Sequence, residues 1–62
     1  MKDYEGALLL YSYSSLLGLP RGSFGAGYSW EKGNTGNFKC KLNNNMKCAL
    51  FYYFNGIEFY KS

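Results

Sequence analysis

Cys40 and Cys48 are the residues of this 62-residue sequence best equipped for covalent or metal chemistry, and both lack the company such chemistry needs. A thiol nucleophile works beside a general base, most often histidine, and a structural zinc ion takes four thiolate or imidazole ligands. The sequence has no histidine, two cysteines and only four carboxylates, Asp3, Glu5, Glu31 and Glu58. Neither nucleophilic catalysis nor a metal centre within one chain can be assembled from these, and no C-x-x-C spacing supports redox turnover. Lysine and tyrosine are conceivable bases, but nothing in their spacing singles one out. The expectation is a chain with no catalytic residue, no metal and no cofactor. Small buried thiols, reduced in a cytoplasm, are the leading reading of the cysteines, ahead of a bridge between them.

The segment Gly22-Ser23-Phe24-Gly25-Ala26-Gly27 has the density of glycine found in phosphate-cradling loops. A dinucleotide site requires such a loop to follow a strand and open a helix, and a P-loop ends in Gly-Lys-Ser or Gly-Lys-Thr. Neither context is met, so the segment reads as a hinge.

Binding chemistry is better supplied. The formal net charge is +3 and 21% of residues are aromatic, so cations and rings are available together for an anionic or apolar partner. Rings stack on bases while ammonium groups meet phosphates in single-strand nucleic-acid platforms. The aromatic and glycine signature of RNA-recognition sheets is absent, however, and outward tyrosines are ordinary in strands. A nucleic-acid partner therefore ranks below a protein one.

Which side chains can converge depends on the elements that carry them. Asp3 as N-cap, Glu5 in the first turn, and Gly18 followed by Pro20 frame a helix over about 4–17. Leu9, Leu10, Tyr13, Leu16 and Leu17 share one stripe at helical spacing, which predicts the core face. Tyr4, Leu8 and Tyr11 form a second stripe pointing away, a second candidate interface. A glycine-rich connection over about 18–27 follows. Beyond it, Gly33-Asn34-Thr35-Gly36, Asn43-Asn44-Asn45 and Asn55-Gly56 divide aromatic-rich runs, and Asn-Gly is a strong hairpin signal. The prediction is a single small α+β domain, one N-terminal helix packed on a four-stranded antiparallel β-meander over about 28–61.

In that meander Cys40 lies opposite Cys48 and Lys41 opposite Lys47. One sheet face, with Phe38, Cys40, Leu42, Met46, Cys48, Leu50, Tyr52, Phe54, Ile57 and Phe59, meets the helix. The other gathers Trp30, Lys39, Lys41, Lys47, Phe51, Tyr53 and Tyr60 as the predicted partner-binding residues.

A chain of this size buries only about 60% of its unfolded surface, which disfavours a substrate-enclosing core. The longest wholly apolar run, Ala7 to Tyr11, is too short to span a bilayer, and no targeting signal is evident, so a soluble cytoplasmic protein without membrane association is expected. These observations suit a small non-enzymatic protein-binding module. By analogy of size, it resembles virus- or mobile-element-type inhibitors that act by stoichiometric occlusion of a host protein, such as a defence or nucleic-acid-processing enzyme. The wealth of Lys, Asn, Tyr and Phe suits an AT-rich genome, phage genomes included. The alternatives are a single-stranded nucleic-acid-binding protein using the Lys and aromatic face, and a small subunit of a homo-oligomer such as a homodimer.

Overall fold

The computed structural model describes residues 2–62. It contains three helices, α1 (Tyr4–Leu16), α2 (Pro20–Lys32) and α3 (Asn45–Lys61), and no strand among the described residues. The expected α+β fold with its four-stranded meander is thereby corrected to an all-helical one. None of these helices is long and apolar enough to cross a membrane.

Each helix end follows from local chemistry. The Asp3 carboxylate accepts a hydrogen bond from the Gly6 backbone N–H at 2.9 Å, capping α1, and Glu5 occupies its first turn. Gly18, at φ +80°, turns the chain out of α1. Pro20 then opens α2, where its missing N–H and fixed φ cost nothing. Gly33 closes α2 in the left-handed conformation that glycine adopts without strain. The Asn44 side chain accepts from Met46 N–H at 2.9 Å and caps α3.

The residues that promised hairpin turns thus serve helices instead. Asn44 begins a helix, Gly33 ends one, and Asn55-Gly56 lies inside α3, where the absent side chain leaves room for the Phe24 ring. The supposed glycine-rich connection is the body of α2.

Helix α2 is the centre of the fold. It packs against α1 on one side and α3 on the other, while α1 and α3 touch each other only slightly. Its glycines make that close approach possible. A Cβ on Gly27 would lie 2.6 Å from the Tyr53 ring and 3.0 Å from the Ala49 carbonyl oxygen, and one on Gly22 would strike the Ser14 side chain and the backbone of α1. The interior consists of Leu8, Ala26, Trp30, Cys40 and Ala49, with Cys48, Tyr52 and Tyr53 packed against them. A buried hydroxyl pair, Ser15 and Ser23 at 2.6 Å, satisfies itself between α1 and α2.

The polarity of α1 is the reverse of the expected one. Leu8 is 3% exposed, whereas Leu10 is 71% and Leu16 84% exposed, and Leu9, Tyr13 and Leu17 face outward with them. Of the Tyr4, Leu8 and Tyr11 stripe, read as a second interface, Leu8 is in the core and the Tyr11 ring fills the space over Gly25, whereas Tyr4 is exposed. The cause lies in α2, whose bare backbone at Gly22 and Gly25 accepts a helix carrying Ser15 and Leu8 more closely than one carrying several leucines. Leu50, Phe54 and Ile57, assigned to the core face of a sheet, are likewise exposed on α3.

The loop between α2 and α3 is tied down three times. The Asn37 backbone N–H donates to Glu5 Oε1 at 2.8 Å, and Thr35 Oγ1 donates to the Phe38 carbonyl at 3.0 Å. A disulfide joins Cys40 to Cys48 across a Cα–Cα distance of 6.1 Å, so the expected reduced thiols are corrected to a bridge. The two cysteines meet as the loop folds back on the first turn of α3, and not as cross-strand neighbours.

Candidate binding surface

Because α1 and α3 both lean on α2 and barely on each other, a furrow runs between them. Leu8, Leu9 and Ser12 of α1 form one wall; Cys48, Phe51 and Tyr52 of α3 form the other. Trp30 of α2 lies between, and Phe38, Lys39, Lys41 and Leu42 of the loop close one end. The furrow, open along one side, has a volume of about 500 Å³. A smaller continuation of about 290 Å³ shares Ser12, Phe51 and Tyr52 and extends past Leu16, Asn55 and Phe59. The Tyr52 hydroxyl reaches the Ser12 hydroxyl at 3.5 Å, so the walls are joined where the two parts meet.

The electrostatics of the furrow are one-sided. Among the described residues, Lys39 and Lys41 are its charged lining residues, and no carboxylate lines it. Trp30 is 7% exposed, and its indole Nε1–H is buried without a hydrogen-bond acceptor among the described residues. A buried donor left unpaired costs about 1–3 kcal/mol, and a native structure rarely leaves one without cause.

The structure divides the predicted partner-binding residues. Trp30, Lys39, Lys41 and Phe51 converge on the furrow. Lys47 stands exposed in the first turn of α3, so its pairing with Lys41 across two strands does not occur. Tyr53 turns towards α2, and its hydroxyl donates to Glu31 Oε1 at 2.6 Å. That hydrogen bond to a carboxylate, reinforced by burial and the Glu31 charge, pushes the Tyr53 phenol up to about 12. Tyr60 projects from the last turns of α3, away from the others. Trp30 was expected on an outward sheet face and is instead almost wholly covered.

Leu8, expected in the second candidate interface, also lines the furrow, and Leu9, Phe38, Leu42 and Tyr52 do so without having been singled out as partner-contacting residues. For Tyr52 the signal was the helical period of residues 45–61, in which Cys48, Phe51, Tyr52 and Asn55 fall on one side. The strand reading, with its period of two, placed Phe51 and Tyr52 on opposite faces.

A second set of side chains lies outside the furrow. Leu10, Tyr13 and Leu17 follow α1, and Leu50, Phe54 and Ile57 follow α3, all exposed. No charged residue falls between Glu5 and Arg21 or between Lys47 and Glu58. No family model matches the chain, and no curated protein or solved structure matches it.

Proposed function

We propose that this chain is a small non-enzymatic protein-binding module that acts by stoichiometric occlusion, laying the outward faces of its helices into apolar grooves of a partner protein. One observation carries the reading: many large apolar side chains, Leu10, Leu16, Phe54 and Tyr60 among them, point outward, while few large ones are buried. The accessible surface is 4701 Å², whereas a compact monomer of this mass exposes about 4,100 Å². The excess, about 600 Å², approaches the roughly 800 Å² that each partner contributes to a standard interface.

The spacing suits a helix entering a groove. Leu10, Tyr13 and Leu17 stand at i, i+3 and i+7, and Leu50, Phe54 and Ile57 at i, i+4 and i+7, the anchor pattern of that recognition mode. Covering these stripes leaves no charge buried, because the charges cluster towards the helix ends and in the loop. An inhibitor of a larger host protein needs such a surface and no reactive group. The Cys40–Cys48 bridge supports an oxidising compartment for this activity over the cytoplasm. The nucleic-acid alternative relied on a sheet face that does not form, and four of its residues belong to the furrow instead.

The test is photo-crosslinking from residue 10 or 17 in nuclease-treated extract, with a probe at Lys61 as the control. A discrete protein crosslinked from the stripe alone, recovered as a one-to-one complex, and lost in a folded Leu10→Lys, Leu17→Lys variant is expected. Equal labelling from all three positions, or undiminished complex formation by the variant, would refute the proposal.

A further inference from the structure

We propose that the furrow between α1 and α3 is a binding site for a single-chain anionic amphiphile, specifically a free long-chain carboxylate. Its alkyl chain would lie between the helices and its head group at the Lys39 and Lys41 end. The site is separate from the outward stripes of the partner-binding reading and goes beyond it.

Size, lining and charge agree on this ligand. A volume of about 500 Å³ lies within the range of small-molecule sites. The furrow has room for a slim alkyl chain along its length. Leu8, Leu9, Leu42 and Phe51 offer that chain an apolar bed, while two ammonium groups and no carboxylate border it. Glu5 accepts the Asn37 N–H and is not among the residues that line the furrow.

Trp30 also contributes to the furrow lining and is almost wholly covered. The two ammonium groups at one end favour an anionic head group over a neutral or cationic one on the same alkyl chain. The disulfide fixes the cationic end of the site by tying the loop to α3.

Trp30 is the sole tryptophan, so its fluorescence reports on the furrow. The probes are dodecanoate, dodecyltrimethylammonium and dodecanol, each below its aggregation threshold, and vesicles of phosphatidylglycerol. Dodecanoate should change the emission saturably at one equivalent, with affinity about tenfold or more above that of the cationic and neutral chains, as expected for charge-assisted contacts. A Lys39→Glu, Lys41→Glu variant, its fold checked by circular dichroism, should lose that preference.

Equal binding of all three chains, or retention of the preference by the variant, would overturn the head-group assignment. A response to vesicles without one to monomeric dodecanoate would replace the free ligand by a lipid surface. The crosslinking experiment stands apart from this one: dodecanoate binding without crosslinking sinks only the protein-partner reading, and the converse sinks only the amphiphile site.

Discussion

The Tyr53 hydroxyl and the Glu31 carboxylate form the side-chain hydrogen bond that joins α2 to α3, and it exists only while the phenol keeps its proton. Loss of that hydrogen bond on deprotonation, together with burial and the Glu31 charge, is why the Tyr53 pKa rises from the usual value near 10 to about 12. A pKa raised in the folded state means that folding holds the proton more tightly. The resulting contribution is fully present below pH 10 and is lost as the pH climbs towards 12. Among the seven tyrosines, one phenolate should therefore appear late in an ultraviolet absorbance titration. Glu31→Gln should bring that tyrosine back towards the ordinary range. A titration unaltered by that substitution would show that the bond is not what holds the proton. This pairing was not legible from the sequence, because Glu31 and Tyr53 were assigned to different strands with no register connecting them.

Helix α1 was legible because its end signals are unopposed: Asp3 caps, Glu5 supports the dipole, and Gly18 with Pro20 stops it. Which of its faces is buried was not legible, since both stripes are apolar and the choice belongs to α2. Helices α2 and α3 were hidden for opposite reasons. Glycine disfavours an isolated helix, so Gly22, Gly25 and Gly27 pointed to a loop, yet their value lies in the approach of neighbouring backbones, a tertiary gain that propensity omits. Tyrosine and phenylalanine favour strands in general, but Asn44 supplies a cap, and Ala49, Tyr52, Tyr53 and Gly56 supply an inward stripe. Gly27→Ala tests the priority of contact over propensity. The new methyl gains about 1 kcal/mol in helix propensity, while overpacking against the Tyr53 ring and the Ala49 carbonyl costs about 1–3 kcal/mol. The variant should melt at a lower temperature than the parent; a higher melting temperature would mean that the α2–α3 contact has room to spare.

The whole molecule measures 34 by 23 by 15 Å between Cα extremes, and the thin dimension explains why so few large side chains can be covered on every side. With so small an interior, a covalent constraint matters more than in a larger protein. The Cys40–Cys48 bridge spans eight positions, and on the chain-entropy view it stabilises the fold by about 2.5 kcal/mol. Reduction, or a Cys40→Ser, Cys48→Ser double substitution, should lower the melting temperature by about 10–20 °C for a domain of this size. Coincident melts with and without reductant would show that the loop is held adequately by Glu5 and Thr35 alone. The central position of α2 has a further consequence, in time. Each helix finds its main partner in its immediate neighbour along the chain, so the encounters that assemble the molecule close only short lengths of polymer. Two hairpins, α1 with α2 and α2 with α3, can form in either order with α2 as the shared template. Local topology of this kind places folding in the microsecond to millisecond regime, so that once the bridge exists, little delay separates a loosened chain from its recovered native arrangement.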